Sequence, residues 1–234
     1  LREDILFPQH QGDYLQAMSS AIGDISGLRG TVPPQFCFMS HPEVGGVTNV
    51  VTHAYYFEGG LKERQELARN SASSSEHRTW HQLQKSVQPF IQAHQSSLFV
   101  EAPLVKQANL EGMQRLVATK TALSISPDCI LEVRRYYLKL GYDTVPNFLK
   151  LYGDGLPSKL EATGTDTETS LVSLIYCEVG RLNEVIEIWR HGNGVEGMEA
   201  SRVAARGAQE WRKAIASIAD LAIEFRTSIH RPIA

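Results

Sequence analysis

Two short stretches carry the side chains that could do chemistry. Asn49, Val51, His53 and Tyr55 alternate in the first, and Asn183, Val185, Glu187 and Trp189 alternate in the second. A strand places every second residue on one face. Each stretch would therefore set an amide, an aliphatic residue, an ionisable group and an aromatic ring side by side. In an apolar chamber such a row could hold a small molecule, with Asn49 orienting it by hydrogen bond and His53 acting as base or axial ligand. The same residues could instead be structural, each Asn tying its hairpin to a neighbouring backbone and each ring filling core. His77 and His81 stand one helical turn apart around Trp80, half of a metal site. No nearby carboxylate or cysteine motif completes it, which favours a solvated helix face. Glu132 and Arg134 share a strand face and read as a structural ion pair. The sequence holds no Walker A, GxSxG or HExxH pattern, and Gly153-Asp154-Gly155 reads as a loop.

The two stretches are copies of each other. Asn49 to Tyr55 and Asn183 to Trp189 are 134 positions apart. The same offset links Tyr14-Leu15 to Phe148-Leu149, Gly46 to Gly180 and Gly60 to Gly194. It slips to 131 for Trp80 and Trp211 and for Ser97 and Ser228. A constant offset broken by one short deletion is the mark of a duplication that has drifted.

Each copy reads as β-α-β-β-α-β. In the second, Ile130 to Leu138 is rich in β-branched and aromatic residues and predicts a strand. Thr144 and Pro146 open a helix through Tyr152, which Gly153, Gly155 and Pro157 should interrupt, leaving Leu160 in a separate piece. Leu171 to Glu178 and Leu182 to Trp189 predict a hairpin around Gly180. Ala200 to Phe225 is helical, broken near Gly207, and Thr227 to Ile233 closes as a strand. In the first copy, Arg2 to Phe7 predicts a strand and Asp13 to Ala21 a helix. Gln35 to Ser40 and Val47 to Phe57 form the hairpin around Gly45-Gly46. Ser73 and Glu76 have capping-box spacing at the start of a long helix, and Ser97 to Leu104 is the last strand. The expected division is 1–104 and 129–234 as ferredoxin-like units, with 105–128 as a linker holding a helix around Leu110 to Leu123.

A ferredoxin-like sheet has helices on one face, so its other face needs cover, and the second copy is the natural lid. The fold class expected is α+β, two tandem units forming a dimeric-α/β-barrel-type arrangement. The alternation then puts Ile186 and Ile188 under the helices and the Asn49 and Asn183 rows in the barrel interior.

Bulk composition narrows the partners. At 234 residues, 42% hydrophobic content fills a core, and a net charge of −3 with no Lys/Arg run argues against nucleic acid and anionic membrane surfaces. No apolar run is long enough for a membrane span. Cys37, Cys129 and Cys177 are odd in number and lack CxxC spacing, which predicts reduced thiols in a non-secretory compartment. The chain opens on Leu1 without a methionine, which leaves open whether a targeting peptide has been removed or lies outside this sequence.

The repeated rows, each after a Gly-containing turn, resemble the pattern of the NIPSNAP family. Glu132 to Lys139 followed by Gly141 resembles its opening strand, and Glu210-Trp211 the Glu-Trp of its second helix. Two departures stand out: Glu187 occupies a position where the family tends to carry His, which His53 keeps, and Thr79-Trp80 lacks the acidic partner. The resemblance implies a dimeric α/β barrel, commonly a mitochondrial address, and interaction or quality-control roles in mitochondria. The leading expectation is thus a non-catalytic interaction protein, binding protein partners or itself through its outer helices and the linker, with no cofactor. The alternative is a binding protein or monooxygenase-like enzyme for a haem-like or aromatic small molecule, using Asn49, His53, Tyr55, Asn183, Glu187 and Trp189.

Overall fold

The computed structural model describes residues 1–23, 35–70, 75–119 and 126–233. The first unit comprises β1 (Arg2–Leu6), α1 (Gln11–Gly23), β2 (Phe36–Val44), β3 (Val50–Tyr55), α2 (Gly60–Asn70), α3 (Ser75–Val87) and β4 (Ile91–Ser96). A connecting stretch holds β5 (Leu98–Glu101), α4 (Pro103–Gln107) and α5 (Gly112–Thr119). The second unit comprises β6 (Ile130–Leu138), α6 (Thr144–Leu160), β7 (Thr169–Val179), β8 (Glu184–His191), α7 (Gly194–Gly207), α8 (Gln209–Ala219) and β9 (Ala222–Pro232).

The strands run in the order β4-β1-β3-β2-β9-β6-β8-β7-β5. Each unit contributes four antiparallel strands in the same ferredoxin-like order, β4-β1-β3-β2 and β9-β6-β8-β7. Pairing of β2 with β9 joins the units on one side, and β5 pairs with β7 on the other. Only Ser97 separates β4 from β5, so one run of chain pairs first with β1 and then with β7 and closes the sheet into a barrel. Closure leaves no long unpaired edge. Both units are tandem ferredoxin-like folds, and their registers correspond. Arg2 lies opposite His53 as Arg134 lies opposite Glu187. Leu6 N–H donates to Asn49 O at 2.8 Å, and Leu138 N–H to Asn183 O at 2.9 Å. At the β2–β9 seam, Gly45 has φ +79°, and a Cβ there would meet Thr227 O at 2.4 Å. Only glycine allows both that conformation and that approach.

Three apolar clusters fill the molecule. Val51, Tyr14, Met18 and Trp80 pack between the first sheet and its helices, and Val185, Trp189, Tyr152 and Trp211 do the same in the second unit. The lumen holds Leu131, Val133, Ile186, Ile188, Val172 and Phe38, with Met113 and Leu116 of α5 packed among them. The expected faces are therefore reversed: Ile186 and Ile188 line the lumen, and the Asn49 and Asn183 rows lie under the helices. Both faces of each sheet are buried, so hydrophobic alternation does not say which faces inward. The connecting stretch also contributes side chains, Met113 and Leu116, to the interior. Arg135 crosses from one unit to the other, bonding Glu184 at 2.9 Å and also Glu3.

Several element boundaries differ from those read in the sequence. α6 runs unbroken to Leu160, because Gly155 is needed where α6 meets α8: a Cβ there would stand 2.5 Å from Ala214 Cβ. The final strand begins at Ala222, and the strand expected at Ser97 to Leu104 is preceded by β4 from Ile91. Helix α2 lies in a stretch too polar to have been read as an element, and the single linker helix is replaced by α4 and α5. Ser73 and Leu123 lie outside the described residues.

Candidate functional site

Under the helices of the second unit, Glu187 is completely buried. Its Oε1 accepts from Tyr152 Oη at 2.8 Å, Lys159 Nζ at 3.3 Å, Arg134 Nη1 at 3.5 Å and the Trp189 indole N–H, and its Oε2 accepts from Tyr136 Oη at 2.9 Å. Lys159 Nζ lies 3.5 Å from the Trp189 ring centroid and 4.6 Å from that of Trp211. Burial pushes the Lys159 ammonium down to about 7, whereas the Lys159 and Arg134 charges hold the Glu187 carboxyl low against its own burial. The convergence of five donors on Glu187 makes the carboxylate the fixed charge of the pair. Arg134 continues to the buried Glu132, which also receives Arg202 at 2.6 Å and His191 at 3.3 Å. Burial opposes ionisation of Glu132, but these partners hold its carboxyl far below the usual range.

The first unit places a smaller cluster at the matching position. Arg2 Nε donates to Asp4 Oδ1 at 2.7 Å, and Tyr14 Oη donates to Asp4 Oδ2 at 2.8 Å. His53 Nε2 stands 3.2 Å from the same carboxylate oxygen, and its Nδ1 has no hydrogen-bond partner among the described residues. The arrangement fits a neutral ring with its proton on Nε2, since burial pushes His53 below its ordinary pKa and an unpaired acceptor is left at Nδ1. Burial would raise Asp4, but hydrogen bonding from His53 and the Arg2 charge bring it down to about 2.

Beside this cluster lies a cavity of about 880 Å³, walled by the first unit, the connecting stretch and the end of β7 among the described residues. It wraps the end of β3, with Ala54, Phe99 and Met113 on its lumen side and Arg2, Tyr55 and Trp80 on its helix side. With the Gln84 amide oxygen turned toward them, Arg2 Nη1 donates to it at 3.2 Å and Trp80 Nε1 at 3.1 Å. Tyr56 and Phe57 add two more aromatic walls, and Glu101 reaches the cavity from β5. Glu101 Oε1 accepts from Met113 N–H at 2.8 Å and Ser173 Oγ at 2.6 Å, which anchors α5 against the wall. The size and the mix of rings with a few aimed polar groups are those of a small-molecule site.

Of the residues singled out in the sequence, Tyr55 alone lines this cavity. His53 stacks parallel to Tyr55 at 6.4 Å between ring centroids, one layer behind it. Asn49 and Asn183 are structural: their side-chain amides donate to Leu6 O and Lys139 O, each at 2.6 Å. Glu187 and Trp189 belong to the sealed cluster. Glu132 and Arg134 form the expected ion pair at 2.8 Å. The side chain of His77 lies outside the described residues, among which no group of three metal-ligating side chains occurs. Arg2, Trp80, Phe99 and Glu101 were missed as site residues. Trp80 alone had a signal, its pairing with Trp211, while Phe99 and Glu101 reach the cavity only through barrel closure.

No helix among the described residues is long and apolar enough to cross a membrane. The sequence matches no family model and no curated protein. Among solved structures, a candidate monooxygenase of Fusobacterium nucleatum aligns with 100% of this chain and 90% of its own, at a TM-score of 0.61 and 9% identity. An anthrone oxidase-like protein aligns with 100% and 90%, at 0.51 and 11% identity. An uncharacterised NIPSNAP-like domain protein of Burkholderia xenovorans aligns with 47% of this chain and 89% of its own, at 0.40 and 20% identity. At these identities the full-length likenesses establish fold and leave activity to the site. The chain has the fold of a dimeric α/β barrel with both halves supplied by one polypeptide, and NIPSNAP proteins stand among its structural neighbours.

Proposed function

We propose that the protein binds a small aromatic or apolar molecule in the cavity between its first half, the connecting stretch and β7. The observation that carries this is the cavity itself, about 880 Å³ and lined by Tyr55, Tyr56, Phe57, Trp80 and Phe99, with Arg2 among them. The lumen, where the sequence suggested a site, is filled by aliphatic side chains and by Met113 and Leu116. The matching place in the second half is filled by Lys159 and its rings. The binding reading therefore stands ahead of a mitochondrial scaffold role, whose support is the sequence resemblance. Catalysis is not required by this reading, since His53 is engaged with Asp4 and Tyr14 behind Tyr55.

The test is titration with the neutral fluorescent probe N-phenyl-1-naphthylamine. Saturable binding at one site per chain is expected, with loss in Leu67→Trp, which places an indole in the cavity from α2. Binding that survives Leu67→Trp but disappears on a lumen substitution such as Val133→Phe, away from the cavity wall, would move the site into the barrel. Absence of saturable binding would overturn the reading.

A further inference from the structure

The turn that follows the first strand of each unit ends differently in the two halves. Leu6 and Leu138 hold matching places, each donating its N–H to the carbonyl of the asparagine in its own row. Four residues on, the first unit has His10, whose ring stacks on Phe90 at 5.2 Å between centroids, so that turn closes on its own unit. The second unit has Tyr142 there, fully exposed, and the nearby Leu140 is 85% exposed. Both border a groove of about 750 Å³ between α4 and the start of α6. Leu104, Val145, Leu149, Tyr176 and Leu182 wall it, and Leu182 is itself 59% exposed. Large apolar side chains this exposed beside an apolar groove mark an association surface.

The same patch carries both a protruding pair and a hollow able to receive one, which is what an isologous two-fold interface requires. Its charges are complementary as well. Lys150 is the one charged residue that lines the groove among the described residues, and Asp143 directly follows the protruding Tyr142. The two lie about two helical turns apart, and neither side chain forms a hydrogen bond or ion pair among the described residues. Neighbouring cations are engaged, Lys139 donating to Asp220 O at 2.6 Å and Arg181 lying over the Tyr137 ring. A two-fold axis that seats Tyr142 of one copy in the groove of the other brings Asp143 of each toward Lys150 of the other.

We propose that this patch joins two copies of the chain into a two-fold dimer, with Tyr142 and Leu140 as the inserted side chains and Asp143 with Lys150 as reciprocal ion pairs. The patch is distinct from the cavity lined by Trp80, so the assignment does not depend on the small-molecule reading. The closing experiment is sedimentation velocity of the full chain over a concentration series. A monomer–dimer equilibrium is expected, and Tyr142→Ser should weaken it at least about ten-fold, the effect of removing an aromatic anchor. Asp143→Lys and Lys150→Asp should each weaken it about ten-fold, because each change reverses two symmetry-related pairs. The double variant should return to the parent's affinity, since every reversed charge again meets its opposite across the axis. All three positions are exposed, and circular dichroism should show each variant folded. A chain that stays monomeric throughout overturns the proposal. So does a dimer that none of these substitutions weakens, or charge reversals whose effects add instead of cancelling. Binding of a monomer to neutral phosphatidylcholine vesicles, lost in Tyr142→Ser, overturns it too and assigns the exposed pair to a lipid surface.

Discussion

The first and second halves share a strand order, a hairpin register and an aromatic pair, yet one holds a cavity where the other holds a sealed polar core. In the second half Glu187 sits opposite Arg134 and gathers five donors, and α6 is long enough to bring Lys159 over Trp189 and Trp211. In the first half His53 occupies the Glu187 position, and the carboxylate has moved to Asp4, the position of Tyr136. That exchange leaves Arg2 paired at the edge of an opening rather than enclosed. One fold position thus holds a sealed ion cluster in one half and a paired arginine beside a cavity in the other, according to which side chain supplies the charge.

The largest test of this contrast is Glu187→Ala. It would strand the Lys159 ammonium, the Trp189 indole N–H and two tyrosine hydroxyls in a buried site and leave Arg134 with Glu132 alone, and a loss of about 3–5 kcal/mol is expected in urea denaturation. A loss below 1 kcal/mol would show that the second half is not the anchor described here. Next, Gly155→Ala should cost about 1–3 kcal/mol, because its Cβ would meet Ala214 Cβ at 2.5 Å and push α6 from α8. In the same variant a solvent quencher should reach the indoles of Trp189 and Trp211 more readily.

In the first half the comparison turns on pH. The Asp4 carboxyl is depressed from 3.8 to about 2 in the folded chain, so its stabilisation is fully present above about pH 4 and is lost as pH falls toward 2. Asp4→Asn should therefore be less stable than the parent by roughly 2 kcal/mol at pH 6, a gap that closes by about pH 2. A gap that stays constant over that range would assign the effect to packing. The smallest effect separates the two asparagines. Each side chain makes one hydrogen bond to backbone, worth about 1 kcal/mol, but Asn183 also holds φ +59°. Asn183→Ala should accordingly cost about 1 kcal/mol more than Asn49→Ala, whereas Asn183→Gly should recover that part.

How much of this was legible in the sequence varies with the kind of information. The constant offset marked the duplication, and the composition of Ile130 to Leu138 marked a strand whose limits the structure reproduces. The Glu132–Arg134 pair needed only strand alternation and is present. Gly155 was read as a breaker because helix propensity is a local property, whereas its role is set by a helix some sixty residues away.

The sequence by itself determined the repeat, the order of elements within each copy and the ferredoxin-like class, because these follow from periodicity and turn chemistry along a short stretch of chain. Only the tertiary structure decided which face of each sheet looks into the barrel. A strand buried on both sides carries no polarity signal to choose between them. The tertiary structure also decided where the opening lies. Phe99 and Glu101 join Arg2, Tyr55 and Trp80 only after β5 has crossed to β7 and closed the barrel, and that pairing joins residues some seventy-five positions apart.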